Sequence, residues 1–435
     1  MIYPTRRCVV AALAGAPIAL VVGLFQPGLW LAAPAWLLAV SALMLLDALM
    51  TPPPKAARIA FGAPGYLAVA ARASARLSVA FGARGRLPPG LETALDAEPR
   101  VGLLAVRGVA REPGDFVFDL QPERRGEAVF SEASVRWRGP LGLIWRQVRQ
   151  KLAVTVPIGA DIRRIEDEAV RMFSRDAMHG AKVQMDLGEG AEFHALSDFH
   201  SGMDRRTVDW KQSARHQTLL AKEFRTERNH QIVMALDCGR VMSEPIDGAP
   251  RIDRAIHGAL ILAYAALRSG DRAGLFAFDD RPRLSTGALS SLSGFPLLVR
   301  QAAAIDYGTE ETNYAFGLTS LSAGLKRRSL VVIFTEFADS TAAELMIETT
   351  GRLIKRHLVL FVVMRDEELE TLVTAAPDTP EDVARAVVAA TLLRERDLVL
   401  ARLRRLGAHI VEASANRIGP DVLNVYLDLK RRDLL

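Results

Sequence analysis

At 435 residues the chain has room for two soluble domains, or for one domain and a membrane anchor. Half of it is hydrophobic and the mean hydropathy is slightly positive, with the excess gathered before residue 51. The two cysteines, Cys8 and Cys238, stand too far apart for a disulfide framework and fit a reducing compartment. A formal charge of +5 is too sparse to mark a nucleic-acid-binding face.

Two apolar runs open the chain. The first, Cys8 to Phe25, follows Arg6 and Arg7, and the second, Leu29 to Met50, is interrupted only by Ser41 and Asp47. Each approaches the roughly 20 apolar residues that cross ~30 Å of hydrocarbon in a helix. Gln26-Pro27-Gly28 between them breaks the helix and makes a turn. Residues 1–50 are therefore expected to form a transmembrane hairpin, anchored in the bilayer through residues 8–50. The second run argues against a cleaved signal peptide. Arg6 and Arg7 before the hairpin, and Lys55 and Arg58 after it, would both stay inside. This orientation predicts a bacterial inner-membrane protein whose soluble part faces the cytoplasm. Asp47 is read as a boundary residue reaching toward the interface.

Residues 51–155 lack helical periodicity. Short alternating runs such as Phe116 to Leu120 and Ala133 to Arg138 are separated by turns at Pro113-Gly114, Arg125-Gly126 and Gly139-Pro140. The pattern predicts a small β-sandwich-like domain. Residues 156–228 read as a charged connecting region. From residue 229 the pattern changes again. Continuous apolar strands at 232–237, 273–278, 330–335, 358–364 and 409–412 alternate with helices at 251–268, 289–304, 341–355, 380–405 and 420–431. Such alternation predicts an α/β doubly wound domain over 229–435, its parallel sheet covered on both faces.

In such a sheet, ligands bind beyond the carboxyl ends of the strands. That rule singles out Asp237 and its loop Cys238-Gly239-Arg240-Val241, Asp279 and Asp280, and Thr335-Glu336, with Thr312 in a neighbouring loop as a further oxygen ligand. Asp237, Thr312 and Glu336 together offer the carboxylate and hydroxyl oxygens that magnesium prefers. In the plain alternative, Asp237 caps its own loop and Glu336 is a solvated strand-end acid. The connecting region holds a dense polar run, Asp204, Arg206, Asp209, Trp210, Lys211, Ser213 and Arg215, with Glu223 and Arg225 further on. Interleaved acids and arginines form internal ion pairs readily, so a structural lock is expected there. The alternative is a surface for a partner protein made by Lys211, Arg215 and Arg225. His194, Asp198, His200 and Asp204 invite a metal-hydrolase reading of segment 194–209, but their order matches no metalloprotease helix. Neither a nucleophile elbow nor a phosphate-binding loop occurs. A non-enzymatic protein is expected, with no resident cofactor.

The stretch Gly202 to Phe224, followed by Ile232 to Asp237, resembles the signature of the bacterial domain-of-unknown-function family 58. Its Asp-x-x-Arg…Asp-Trp-Lys…Ser-Ala-Arg motif is matched by Asp204, Arg206, Asp209, Trp210, Lys211, Ser213, Ala214 and Arg215, and its middle elements by Arg125-Gly126 and Gly139 to Leu143. The resemblance implies a membrane hairpin, a β-rich region and a von Willebrand factor A-like (vWA-like) domain. It also implies a partner, a MoxR-like AAA+ ATPase acting with it in assembly or maturation of protein complexes. An envelope scaffold that works without any ATPase is the rival.

The resemblance further implies a metal-ion-dependent adhesion site, Asp-x-Ser-x-Ser with a later threonine and aspartate. Here Gly239 and Val241 stand in place of the two serines, and Glu336 in place of the aspartate. The site is therefore expected to be degenerate and metal-free, with Arg240 near Asp237 as a stand-in for the cation.

Overall fold

The computed structural model describes residues 1–435 except 26–30, 83–86, 179–186, 201–204, 226–228, 338–339 and 433. The chain divides into two compact units, Met1–Gly159 and Ala160–Leu435.

The first unit begins with a short strand, β1 (Ile2–Pro4), and two helices, α1 (Arg6–Phe25) and α2 (Ala32–Met50). The helices are apolar all round, and many of their leucines and valines are exposed. The segment Pro34–Ala56 is long and apolar enough to cross a membrane by length and composition. An apolar exterior without a polar face suits hydrocarbon rather than water.

Strands β2 (Ala57–Gly62), β3 (Leu67–Ala68), β4 (Ala73–Phe81), β5 (Glu92–Ala97), β6 (Val109–Glu112), β7 (Asp115–Leu120), β8 (Gly126–Arg138) and β9 (Ile144–Gly159) follow. They form a five-stranded sheet, β1-β9-β8-β5 with β3 on β9, and a four-stranded sheet, β2-β4-β7-β6. Alternation along β4, β7 and β8 sends Leu77, Phe116, Phe118, Phe130, Val135 and Trp137 into one core shared by the two sheets. The turn signals of the sequence mark this sandwich well. Strand β1 was not anticipated: it pairs antiparallel with β9, Tyr3 opposite Trp145.

That pairing places the start of α1 at the same strand that receives the end of α2. Asp47, in the last turn of α2, is fully buried. Its carboxylate accepts hydrogen bonds from Leu141 N (2.8 Å), Leu143 N (2.8 Å) and Ile144 N (3.1 Å). The expectation that Asp47 reaches toward the interface is thereby corrected. Its charge is met by the β8–β9 turn, the Gly-Pro-Leu-Gly-Leu element. Two glycines make the socket possible. A Cβ at Gly139 would collide with the Asp47 carboxylate, and Gly142 sits at φ +71°, which favours glycine. Arg146 closes the clamp by donating to the carbonyls of Ala48, Thr51 and Pro52, acceptors that the helix end leaves free.

In the second unit, α3 (Ile162–Met178), β10 (Leu187–Asp198), α4 (Trp210–His216) and β11 (Leu220–Arg225) precede the main sheet. The connecting region thus holds a helix, a β-ribbon of β10 with β11, and a short capped helix. Beyond it come β12 (Gln231–Asp237), α5 (Arg240–Ser243), β13 (Pro245–Ile246), β14 (Ala249–Pro250) and α6 (Arg251–Arg268). Next are β15 (Arg272–Phe278), β16 (Pro282–Ser285), α7 (Phe295–Ala303), α8 (Tyr314–Gly324), β17 (Ser329–Phe334) and α9 (Ser340–Ile354). Strand β18 (Leu358–Met364), α10 (Glu367–Thr374), α11 (Pro380–Arg405), β19 (His409–Ala413) and α12 (Ile418–Arg431) complete it.

The main sheet has the order β16-β15-β12-β17-β18-β19. Five strands run parallel and the edge strand β16 runs antiparallel to β15, so the sheet is mixed rather than wholly parallel. Its central strands are continuous Val, Ile, Leu and Phe because both faces are covered. On one face Val331, Ile333 and Phe361 pack against Leu318 of α8, Met346 of α9 and Leu400 of α11. On the other, Phe334 meets α6 at Gly258, beside Ile418 of α12.

Candidate functional site

The strand order reverses at β12, with β15 on one side and β17 on the other, so their carboxyl ends diverge into a crevice. Asp237, the last residue of β12, sits at its floor and is 1% exposed. Four donors converge on its carboxylate. Oδ1 accepts from Thr312 Oγ1 (2.6 Å) and Gly239 N (2.9 Å); Oδ2 accepts from Thr335 Oγ1 (2.6 Å) and Tyr314 Oη (3.0 Å). Tyr314 Oη also lies 2.9 Å from Thr335 Oγ1 and 3.1 Å from Glu336 O. Burial pushes the Asp237 carboxyl up, against the pull of these donors. Burial, and then the negative Asp237, hold the Tyr314 phenol well above its ordinary value, so it remains a donor.

Asp237 and Thr312 thus come together as the sequence pattern suggested, whereas Glu336 does not join them. The Glu336 carboxylate accepts from Phe337 N at 3.2 Å and lies 3.3 Å from Arg396 Nε of α11, an ion pair without hydrogen-bond alignment. Both side chains are about 10% exposed. Burial pushes Glu336 up, and the Arg396 charge opposes it. Arg240 also departs from expectation. Its guanidinium is half exposed and pairs with Glu244 at 3.9 Å, not with Asp237. Its backbone N–H instead ties the loop to Glu310 O (2.8 Å).

Of the residues around Asp237 and Glu336, Tyr314 and Thr335 were not read as donors, although Thr335 was singled out as a strand-end residue, and Arg396 was missed. The first two follow from position: one is the first residue of α8 after the Asn313 cap, the other the first residue past β17. Arg396 comes from a helix distant in sequence and carried no local signal. A second pair lies nearby: Arg251, at the start of α6, bonds Asp366 at 2.7 Å. With Val241, Phe337, Leu369 and Leu392 these groups wall a cavity of about 360 Å³.

The connecting-region motif resolves into two parts. Asp209 caps α4, accepting from Lys211 N and Gln212 N (both 3.1 Å), and pairs with Lys222 of β11 at 3.3 Å. The Gln212 N–H, with the Lys222 charge, holds Asp209 below the usual carboxylate range. Ser213 Oγ donates to Asp209 O (2.7 Å) and accepts from Leu220 N (2.9 Å), fastening α4 to β11. Trp210, Lys211 and Arg215 are exposed. Asp204 lies outside the described residues, as do the side chains of Arg206, Glu223, Arg225 and His194. Asp198 and His200 are exposed, and among the described residues no group of three or more His, Cys, Asp and Glu converges on one point.

Residues 196–390 match the family described as Protein of unknown function DUF58. No curated protein matches the chain. Solved structures similar to it include BatB from Bacteroides thetaiotaomicron, at 10% identity over 44% of this chain and 97% of that one (TM-score 0.28). An aerotolerance-related membrane protein from Bacteroides fragilis aligns at 12% identity over 41% of this chain and 98% of its own (TM-score 0.23). An uncharacterized membrane-spanning protein from Vibrio fischeri aligns at 13% identity over 47% and 98% (TM-score 0.16).

Proposed function

From the premise that residues 196–390 belong to the family Protein of unknown function DUF58, we propose that this membrane-associated chain is a non-enzymatic, vWA-like protein-binding adaptor. Its doubly wound second unit would bind the partner at the strand-end loops, without a cation. The single observation that carries this reading is the saturation of Asp237. Each of its carboxylate oxygens already accepts two hydrogen bonds from the protein. A cation would have to displace hydroxyl donors at 2.6 Å from either oxygen. The residues do not fit an adhesion-type metal site for a second reason. A Cβ at Gly239 would collide with Thr312 Oγ1, so threonine fills the space a serine side chain would need there.

An aspartate whose two carboxylate oxygens are held by four protein donors braces the loops that supply them. The braced loops carry exposed Glu310, Glu311, Asn313 and Phe316 toward solvent, a mixed apolar and acidic surface suited to a protein. We assign this surface to a MoxR-like AAA+ ATPase, and the membrane to the bacterial inner membrane with the soluble domains facing the cytoplasm. The basic flanks of the hairpin support that orientation.

The test uses the full chain in lipid nanodiscs and a purified MoxR-like ATPase held in its ATP state. Saturable binding, weakened at least tenfold by Glu311→Lys or Phe316→Ser, is expected. Absence of binding with any nucleotide would favour the ATPase-independent scaffold. Calorimetric titration of magnesium and manganese into the same discs checks the cation: saturable heat that Asp237→Ala abolishes would overturn the metal-free site.

A further inference from the structure

Between Asp366 and Ala384 the chain carries seven acids and no lysine or arginine, although its net charge is +5. Residues 371–381 are all exposed, and the stretch forms α10, the turn after it and the start of α11. The same surface is apolar to a degree that solvent does not explain. On α11, Val387 is 61% exposed and Val388 59%; Val383 and Leu392 lie one turn away from each in turn. Spacings of four place 383 with 387, and 388 with 392, along one side of the helix. Leu372 and Val373 of α10 are also exposed. Leu392 continues this stripe into the 360 Å³ cavity, where Val241, Phe337 and Leu369 provide further apolar wall.

We propose that the α10–α11 hairpin and the adjoining cavity are a docking groove for a basic amphipathic helix of a partner protein. Charge selects this occupant. Asp366, Glu370 and Asp382 pair with Arg251, Arg365 and Arg385, but the exposed Glu367, Glu368, Asp378 and Glu381 attract lysine and arginine flanking an apolar face, and valines at helical spacing receive that face. The same charge repels an anionic bilayer surface, which attracts basic segments. It also disfavours a second copy docked hairpin to hairpin, because acids would face acids. The cavity then takes one large apolar side chain of the incoming helix, anchored over Leu392. The acids and valines of this surface lie outside the strand-end loops, which add only part of the cavity wall, and the proposal does not rest on the metal-free reading of Asp237.

The probe is a 20-residue amphipathic peptide of leucine and lysine, with a leucine and glutamate peptide of identical spacing as its control. Fluorescence anisotropy is measured with the full chain in phosphatidylcholine nanodiscs, and empty discs are subtracted. Saturable binding of the basic peptide alone is expected. It should weaken at least tenfold for Val387→Ser with Val388→Ser, and similarly for Glu367→Lys with Glu368→Lys. The second pair should also flatten the salt dependence. All four positions are exposed, so unfolding is not expected, and matched melting curves verify it. Glu311→Lys, in the strand-end loops, should leave binding within twofold. Equal binding of the acidic peptide, no loss in the two double variants, loss with Glu311→Lys, or recruitment of the soluble face to phosphatidylglycerol vesicles would each overturn the proposal.

Discussion

Two buried aspartates, Asp47 in the first unit and Asp237 in the second, solve the same electrostatic problem with different donors. Each is at most 1% exposed; Asp47 lies in the last turn of a helix and Asp237 ends a strand. Asp47 is met by three backbone N–H groups of one turn. Asp237 is met by one backbone N–H and three hydroxyls from separate elements. A backbone N–H can only donate, and in a tight turn it has no second acceptor within reach. A hydroxyl both donates and accepts, so a set of hydroxyls can pair among themselves. The first arrangement is a rivet between a membrane helix and a sheet. The second is a network that can be re-sorted, which suits loops that receive a partner.

That contrast predicts unequal costs for the same substitution. Asp47→Ala strands three buried donors and should destabilise the first unit by about 3–5 kcal/mol. Asp237→Ala leaves hydroxyls close enough to pair with one another, Tyr314 Oη and Thr335 Oγ1 being 2.9 Å apart, and should cost only about 1–2 kcal/mol. Thermal unfolding of both variants in nanodiscs decides it; equal losses would erase the distinction. A smaller effect sharpens it. Gly239→Ser should cost about 1–2 kcal/mol, because its Cβ meets Thr312 Oγ1, and adding Thr312→Ala should recover most of the loss. If the double variant is no better than the single one, the crowding lies elsewhere.

The smallest expected effect is a pH dependence. Burial raises the Asp237 carboxyl in the fold above its ordinary value of 3.8. Its contribution to stability is therefore complete below 3.8 and is lost as pH rises through the higher folded value. Asp237→Asn lacks that proton, so its stability relative to the parent should rise over the same window, by on the order of 1 kcal/mol. A difference that stays flat from pH 3.5 to 7 would mean that the four donors fully offset burial.

The second unit was legible wherever an element is buried on both faces. Apolar runs such as Ile232–Leu236, Leu330–Phe334 and Leu358–Met364 have no other way to be satisfied, and each is a strand. The capping box of Thr379 and Asp382 opens α11 at the residue where the proline signalled a helix start. What escaped reading depends on distance along the chain. The antiparallel edge β16 is only four residues long and half exposed, so its sequence carries no strand period. Helix α3 hides its amphipathic pattern under a high density of charge. At the site, Asp237 and Thr312 were visible from the rule about strand ends, but the turning of Glu336 away toward Arg396 was not. That outcome is decided 60 residues downstream, by where α11 lays its arginine.

Strand β1 gives the anchor a temporal order. Met1 hydrogen-bonds Gln147, 146 residues away, so the residues of β1 wait for those of β9 before they can pair. At roughly 5–20 residues per second, that interval is about 7–30 seconds. Helices α1 and α2 are made during this time with neither of their ends fastened. Closing the sheet over so long a loop is slow and cooperative. A chain that stops before residue 141 lacks all three N–H groups that meet the Asp47 carboxylate, so the end of α2 stays unfastened until the β8–β9 turn is made.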